Sequence, residues 1–278
     1  ISKLQKPKLR FRDVVHSTRG VELSKRGRVQ KCATCRLWFP FQERATYLCP
    51  HCGFESTEAN CSKEAIITRE PTSGHEPIIV GGGVGRYRLA PAYWINTKRP
   101  GINYKDLGTY RGPKILVRKT GVGISATIDY SRALTNQVVY IFRVKEEYRN
   151  QIPLEVLLAI LNSRAMYYYV AKTHGETEWR SHPYVTQQQI LELPLPNIGS
   201  LISDSAKRVA SLLRTALTGQ LGVLPALDSR IERFVARAFR LGPVDYTRIY
   251  QTLSTVEQLL PVQALVRIGP GDIFTASI

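Results

Sequence analysis

The chain has 278 residues, which is enough for one large domain or two with well-buried cores. Its composition is ordinary at 43% hydrophobic residues, but no apolar run approaches the roughly 18 residues of a membrane-spanning helix, and we find no secretory signal. Thirty-nine Lys and Arg residues against 22 Asp and Glu residues give a net charge of +17. This surplus predicts nucleic acid or an anionic membrane surface as the partner.

The N-terminal segment is strongly basic. Residues 1–31 carry ten basic and two acidic side chains, and Arg19, Lys25 and Arg26 are the candidates for contacts to a polyanion. A basic run of this kind is typical either of a solvated arm or of a segment that binds nucleic acid. The chain begins with Ile1 rather than Met, so we expect a piece of a longer protein or a processed chain.

Two pairs of cysteines follow at a spacing typical of a zinc ribbon. Cys32 and Cys35 form the first pair, and Cys49 and Cys52 form the second after thirteen intervening residues. Each pair turns tightly enough for both sulfurs to reach one ion, so we predict a structural zinc site within about residues 31–54. Four thiolates close the coordination shell, which argues against zinc catalysis. Two disulfides or four free thiols are the alternative.

Three features near the ribbon invite a chemical interpretation that their context does not support. His51 lies inside the second cysteine pair, and Cys61 lies outside the pattern, so neither is predicted as a ligand. Residues 74–87 contain glycines at nearly the spacing of a dinucleotide loop, but Pro91 follows where an amphipathic helix is required. A flexible turn that presents Arg86 is the better prediction.

Residues 112–144 predict three short strands. Alternating apolar residues indicate a strand at about residues 115–118, and segments rich in β-branched residues indicate two more, at 124–128 and 138–144. The cations at or near their turns are Lys114, Arg118, Lys119 and Arg132. These side chains can face a polyanion, but an ordinary β-meander with solvated charges fits the same pattern.

The remainder of the chain is predicted to be mainly helical. Apolar residues indicate a helix over residues 154–172, followed by an exposed polar loop and a short helix at about 186–192. Residues 201–260 predict three amphipathic helices that pack on the preceding part. The outer face of the second carries Arg230, Arg233, Arg237 and Arg240.

Several segments, taken in order, resemble a known family. They are RGVELSKRG, CATC with CPHC, GVGRY, GPKILVRKTG, ATIDYSRALTNQVVY, LLAILNSRAMYYY and HPYV with LELPLP, and the helix SRIERFVARAFRL resembles the segment that commonly follows. Between about residues 9 and 255 the chain resembles the TaqI-like C-terminal specificity domain. This is the target recognition domain of many adenine-N6 DNA methyltransferases, in fused restriction-modification enzymes and phage-exclusion systems.

The resemblance implies an α+β fold and a role in DNA recognition. We expect a mixed αβ target recognition domain over residues 1–200, with the zinc ribbon inserted, and a helical subdomain over 201–278. The expected partners are double-stranded DNA and an upstream methyltransferase domain of the same protein, with no membrane partner. Such a protein is expected in the cytoplasm of a prokaryotic cell, associated with the nucleoid.

Catalysis is not expected from this chain. It contains no Pro-Pro pair, so the motif that holds the flipped adenine in such methyltransferases is absent, and neither a P-loop nor an Asp/Glu-x-Lys nuclease half-motif occurs. S-adenosylmethionine is therefore expected only in the upstream domain. A binder of this class grips the duplex from outside while its partner extrudes the target base.

Long polar side chains on loops are the candidates for reading or clamping DNA, since Arg can fork onto guanine and Asn or Gln onto adenine. Together with the N-terminal cations and Lys114, they are Arg86, Arg118, Lys119, Arg132, Asn136, Gln137 and Arg180. The sequence does not separate base readers from phosphate clamps. Asn136 is alternatively a turn cap.

Three other classes of protein stay open at this point. An RNA-binding zinc-ribbon protein shares the charge and the ribbon, and a protein-interaction scaffold can carry a basic surface without nucleic acid. An enzyme is the third, because one loop contains His174, Glu176, Glu178 and His182 at a spacing compatible with metal ligands. A solvated polar loop explains those four residues more simply.

Overall fold

A computed structural model describes residues 1–23, 27–57, 61–90, 92–174, 184–219, 224–254 and 269–275. Its strands are β1 (Val15–Arg19), β2 (Arg28–Lys31), β3 (Trp38–Pro40), β4 (Thr46–Leu48), β5 (Glu55–Thr57), β6 (Ser62–Ala65), β7 (Ile67–Thr68), β8 (Glu76–Ile79), β9 (Val84–Gly85), β10 (Arg88–Leu89), β11 (Tyr93–Ile95), β12 (Lys114–Arg118), β13 (Ser125–Asp129), β14 (Leu134–Thr135) and β15 (Val139–Val144). Its α-helices are α1 (Ser2–Gln5), α2 (Phe11–Val14), α3 (Leu154–Leu161), α4 (Arg164–Thr173), α5 (Gln187–Leu191), α6 (Ile198–Leu201), α7 (Asp204–Thr218), α8 (Leu224–Ala238), α9 (Pro243–Ser254) and α10 (Pro270–Thr275).

A four-stranded antiparallel sheet, in the order β1-β15-β12-β13, lies at the centre of the fold. Both of its faces are buried. Ile115 and Val117 pack into the helical core on one side, whereas Leu116 and Ile141 pack into a second core on the other. Alternate residues of a strand point to opposite faces, so a strand that is apolar at successive positions is suited to this double burial. The predicted strands of residues 112–144 are confirmed.

The second core is closed by a smaller mixed sheet in the order β14-β8-β11-β7. The ribbon segment stands beside this sheet and consists of the sheet β3-β2-β6 and the hairpin β4-β5. Trp38 joins the two units: its backbone N–H donates to Pro100 O at 2.8 Å, and its side chain packs against the second core. The ribbon is therefore anchored to the body of the fold.

The predicted helix over residues 154–172 is two helices, α3 and α4. Ser163 lies between the two helices and is the N-cap of α4, since its Oγ accepts the Met166 N–H at 3.2 Å. Asn162 stands at the break and bonds both backbone groups of Ala126, donating from Nδ2 at 2.9 Å and accepting at Oδ1 at 3.3 Å. This contact satisfies the open edge of β13, which explains why the helix is interrupted there.

The C-terminal helices share the helical core of the central sheet. Ala206, Leu213, Ile231 and Val235 lie in the same buried cluster as Phe142. Among the described residues the unit predicted at 201–278 therefore has no core separate from the preceding part. The amphipathic pattern of α7 and α8 is confirmed, whereas the domain boundary near residue 200 stays a prediction.

A buried ionic network connects α8 to the rest of the protein. Arg164 pairs with Asp228, Nη2 to Oδ2 at 2.5 Å, and with Glu232, Nη1 to Oε1 at 3.2 Å. Arg86 approaches Asp228 from the other side, Nη2 to Oδ1 at 3.0 Å, and Tyr246 donates its hydroxyl to Glu232 Oε2 at 2.9 Å. Two cations against two carboxylates keep the cluster neutral, which offsets the cost of burying it.

Candidate nucleic-acid interface and metal site

The four predicted cysteine ligands converge on one point. The sulfurs of Cys32, Cys35, Cys49 and Cys52 all lie within 4.8 Å of one another. Two of the separations, Cys32 to Cys52 and Cys35 to Cys49, are 3.7 Å. Four sulfurs bound tetrahedrally at about 2.3 Å from zinc are about 3.8 Å apart, so this donor set fits a closed four-thiolate zinc site.

Backbone turns shape both cysteine pairs in the same way. The Arg36 N–H donates to Cys32 O at 3.1 Å, and the Gly53 N–H donates to Cys49 O at 2.9 Å. Both residues after the pairs are left-handed, with φ of +63° at Arg36 and +74° at Gly53. Glycine tolerates this backbone freely, whereas Arg36 is strained by its Cβ. The turns aim N–H groups at the sulfurs, which is the geometry that a thiolate requires.

Electrostatics in the site favour a thiolate at Cys32. Burial raises the pKa of this thiol, but hydrogen bonds from the backbone N–H groups of Cys35 and Thr34 outweigh burial and lower the pKa to about 6. The two bystanders lie as predicted outside the four-sulfur group. His51 places Nε2 3.1 Å from Trp38 O, and Cys61 packs against the outside of the cysteine cluster.

One end of the central sheet presents three cations, which we call the cationic sheet end: Arg19, Arg118 and Lys119. Register brings them together, because Arg19 stands opposite Tyr140 on β15 and Arg118 stands opposite Val139. The strands β1 and β12 flank β15, so residues far apart in sequence are neighbours at this edge. Three of the predicted DNA contacts therefore lie at the same end of the sheet.

Arg19 is held in position by neighbours from two elements. Its guanidinium carbon lies 5.7 Å from the centre of the Tyr140 ring, and Nε donates to Gln187 Oε1 at 3.0 Å. Gln187 in turn donates from Nε2 to Ser17 Oγ at 2.8 Å. None of these partners is charged, so Arg19 keeps its full charge for an anion while its side chain is oriented.

Arg118 and Lys119 occupy the turn that leaves β12. Arg118 Nε donates to Thr120 Oγ1 at 3.2 Å, and Lys119 Nζ lies 5.7 Å from the centre of the Tyr184 ring. Val185 donates its N–H to Lys119 O at 2.9 Å, which attaches the segment after the polar loop to this turn. Tyr184 is 59% exposed, so its ring offers an open face beside the cations.

Within the described ranges, none of the three cations of the cationic sheet end pairs with a carboxylate. Elsewhere in the described chain, carboxylates neutralise many of the basic side chains, as at Arg99 with Glu64. A cation that has no carboxylate partner and whose side chain is oriented by uncharged neighbours is well suited to bind a phosphate group. The cationic sheet end is therefore the best candidate for a polyanion contact.

Three other predicted contacts are not part of the cationic sheet end, and one of them bonds to backbone groups. Arg132 is exposed in the turn after β13, at the opposite end of the sheet from Arg118. Gln137 accepts the Leu23 N–H at Oε1 at 3.0 Å and donates to Leu23 O, so its amide holds the chain after β1. Asn136 is half-buried, and its Oδ1 accepts no hydrogen bond from the residues that the structure describes.

Lys114 does not lie on a surface that DNA can reach. Its side chain is fully buried, and Nζ pairs with Asp129 Oδ2 at 2.7 Å while donating to Tyr110 O at 2.7 Å and Ser131 O at 2.9 Å. All three ammonium donors are thereby used inside the protein. We correct the predicted DNA contact at Lys114: this residue stabilises the start of β12.

Arg86 is a second correction, for a similar reason. Its side chain is 5% exposed, pairs with Asp228 and donates from Nε to Asn162 O at 2.9 Å. The adjoining Tyr87 is buried, and burial raises the pKa of its hydroxyl above the usual range. The turn therefore delivers Arg86 into the core rather than to solvent.

Several predicted residues lie outside the described part of the chain. They are Lys25, Arg26 and Arg180, together with Glu176, Glu178 and His182 of the loop considered for an enzyme. The fourth member of that loop, His174, directly follows α4, and burial lowers the pKa of its imidazole. Its ring lies 6.5 Å from the Tyr169 ring, centre to centre.

Two residues of the interface were missed by the sequence interpretation. Tyr184 and Gln187 come from the segment around α5 and meet β1 and β12 only through long-range contacts. The one available signal was the capping box of α5, in which Thr186 Oγ1 accepts the Gln189 N–H at 3.1 Å and Gln189 Oε1 accepts the Thr186 N–H at 2.8 Å. This motif fixes where α5 begins and hence what its first turn can reach.

The fold and the two sites together define a mixed αβ protein with a four-cysteine cluster and a cationic sheet end. Residues 76–195 match the family of the TaqI-like C-terminal specificity domain, which confirms the resemblance for this segment. The matched segment contains β12, β15 and α5, and with them Arg118 and Lys119 of the cationic sheet end, whereas Arg19 lies before it. The ribbon and the helices α6–α10 lie outside it.

Comparison with solved structures gives a more distant likeness. The HsdS subunit from Thermoanaerobacter tengcongensis is 13% identical, with a TM-score of 0.37, over 84% of this chain and 44% of that subunit. This chain thus spans less than half of that subunit, and the overlap is too loose to carry an argument about fold. No curated protein matches the chain. In the described residues, no helix has the length and apolar character needed to cross a bilayer.

Proposed function

We propose that this chain is a DNA target recognition module of a restriction-modification or phage-exclusion enzyme, and that it contributes no catalysis itself. The observation that carries the proposal is the cationic sheet end, whose Arg118 and Lys119 lie within the segment matched by the TaqI-like specificity family. The net charge of +17 supports a polyanionic partner. The partner we propose is double-stranded DNA.

The proposed division of labour follows from the chemistry of the exposed groups. Arg19 and Lys119 neutralise phosphates and set the register of the module on the duplex. Arg118 has a guanidinium that can fork onto the two acceptors of guanine in the major groove, so it is our first choice for a base reader. The open Tyr184 ring packs beside the sugar-phosphate backbone. Other residues remain proposed contacts, with no particular group of the DNA assigned to them: Arg132, Asn136, Lys25, Arg26 and Arg180.

The four-cysteine cluster is proposed as a structural zinc site. The ion would be held by four cysteines, Cys32, Cys35, Cys49 and Cys52. Zinc bound there would cross-link the two turns and would have no open position for a reactive water. The ribbon is attached to the body through Trp38, so a closed metal site fixes the position of the strands β2 and β6 beside the second core.

The catalytic partner is proposed to be an adenine-N6 DNA methyltransferase domain upstream in the same protein. S-adenosylmethionine binds in that domain and not in this chain. The module then orients the partner on its target sequence while the target base is extruded. The proposed location is the cytoplasm of a prokaryotic cell, in association with the nucleoid.

Binding of labelled duplexes, followed by fluorescence anisotropy, tests the proposal. We expect the chain to bind duplex DNA more tightly than duplex RNA, and to ignore an acidic protein of matched charge. The triple variant Arg19→Ala, Arg118→Ala, Lys119→Ala should lose most of the affinity, whereas Arg69→Ala, an exposed arginine near β7, should not. Equal affinity for RNA, or unchanged binding by the triple variant, contradicts the proposal.

A further inference from the structure

A cleft lies at the end of the central sheet opposite the cationic sheet end. Its volume is about 310 Å³, and three of its lining side chains are Arg143, Arg149 and Arg214. We call it the arginine cleft. Val144, on its wall, is four positions along β15 from Tyr140 at the other end, a distance of about 13 Å along the strand.

Hydrogen bonds within the protein orient two of the three guanidinium groups of the arginine cleft. Arg143 donates from Nη1 to Gly108 O at 3.0 Å and from Nη2 to Arg111 O. Arg214 donates from Nε to Glu155 Oε1 at 2.6 Å and from Nη2 to Glu155 Oε2 at 3.1 Å. These partners leave Nε of Arg143 without a hydrogen bond among the described residues, whereas Arg214 also interacts with Tyr130; an anion that enters the cleft meets guanidinium groups that are already oriented.

The charges around the cleft favour an anion. Glu155 neutralises Arg214, and Glu146 pairs with Arg149 at 2.6 Å. Arg143 bonds only to neutral carbonyl groups, so the three arginines exceed the two carboxylates by one charge. The Glu146 pair is exposed and therefore weak, so an incoming anion competes for Arg149 at low cost.

The rest of the lining is apolar. Val144, Ile152 and Leu154 form one part of the wall, and two prolines complete it. A volume of about 310 Å³ is at the lower end of the range for small-molecule sites. A hydrated inorganic ion gains nothing from such a wall, whereas an anionic molecule with a flat apolar body buries that body against it.

We propose that the arginine cleft binds a small organic anion, a phosphate or carboxylate that carries an apolar body of about nucleoside size. The anionic group is bound by Arg149, Arg214 and the free Nε–H of Arg143, and the apolar body lies on Val144 and Leu154. The site is separate from the cationic sheet end, so it does not depend on the function proposed above.

Calorimetric titration of the full chain tests this inference at constant ionic strength and without phosphate buffer. The probes are adenosine 5′-monophosphate, benzoate, adenosine and inorganic phosphate. We expect saturable binding of at least one of the first two and much weaker binding of the last two. Comparing the nucleotide with benzoate distinguishes phosphate from carboxylate recognition.

Substitutions place the binding in the cleft. Arg149→Ala removes an exposed side chain, and Arg214→Lys keeps the charge but loses the fork; each should weaken binding about tenfold or more. Arg69→Ala, an exposed change that does not touch the cleft lining, and the double variant Arg19→Ala, Arg118→Ala should bind as the parent does. The inference is overturned if neither organic anion binds, if phosphate or adenosine binds as tightly, or if Arg149→Ala binds normally.

Discussion

Lys114 and Asp129 stand directly opposite each other on β12 and β13, with Nζ and Oδ2 2.7 Å apart and side chains 0% and 2% exposed. A buried pair of this kind stabilises little compared with apolar residues of similar volume, but breaking it leaves an uncompensated charge. Burial lowers the pKa of Lys114, and the carboxylate of Asp129 opposes that effect by favouring the charged form. The pair therefore constrains the end of the sheet opposite the cationic sheet end.

The first prediction concerns this pair. Lys114→Met should lower the free energy of unfolding by ~3–5 kcal/mol, because Asp129 is left buried without its cation. The double variant Lys114→Met, Asp129→Leu should recover most of the loss. Urea denaturation of the full chain measures both. Arg132→Ala, an exposed change nearby, serves as the control, and equal stability of the single variant and the control would show that Lys114 is not paired.

The second prediction concerns the metal. Purified protein should contain one zinc per chain, and removal by a chelator should release the ribbon while the central sheet persists, because the two have separate cores. Elemental analysis and circular dichroism provide the measurements. Cys32→Ser should abolish stoichiometric zinc, whereas Cys61→Ser should retain it. Metal-free protein with free thiols and an intact ribbon would refute the assignment.

The third prediction separates base reading from phosphate binding. Lys119→Ala should weaken all DNA sequences alike and reduce the slope of log affinity against log salt by about 0.9, the value for one phosphate contact. Arg118→Ala should cost ~1–3 kcal/mol on a cognate site and little on other sites. The measurement requires the full-length protein with the proposed methyltransferase domain, whose methylation would define the cognate site. Unchanged methylation specificity of Arg118→Ala would move the reading surface elsewhere.

The fourth prediction concerns acid stability. Burial raises the pKa of Asp245, but the bonds from Lys3 Nζ at 2.7 Å and the Gly242 N–H at 2.8 Å outweigh it, so the pKa lies below its usual value. The folded-state pKa is depressed, so this contribution is present above the unfolded pKa of about 3.9 and is lost as pH falls through the folded pKa.

Asp245→Asn should therefore flatten the fall in unfolding free energy below about pH 4. The effect should stay below ~1 kcal/mol, since the Lys3 side chain is 50% exposed. Urea titrations at several acidic pH values measure it, and Lys3→Ala should act in the same direction. Parallel pH profiles for the parent and Asp245→Asn would mean that the bond contributes nothing.

The sequence by itself determined those features that depend on neighbours along the chain. The Cys32 and Cys35 pair and its partner pair are local turns, so their spacing alone predicted the four-sulfur cluster. Alternation around Ile115 and Val117 predicted β12, enrichment in β-branched residues predicted β15, and the order of motifs indicated the family that matches residues 76–195. For each cysteine pair and each strand, the information lies within a few residues of the feature it predicts.

Only the tertiary structure decided which cations are available. Lys114 and Arg118 lie four residues apart on one face of the same strand. The Lys114 side chain is buried and bonds to Asp129 and two carbonyl groups, whereas the Arg118 side chain lies at the open sheet end. Arg86 is lost to the core because Asp228, 142 residues further along the chain, comes to meet it. Burial is set by contacts between distant segments, and no local pattern of residues encodes it.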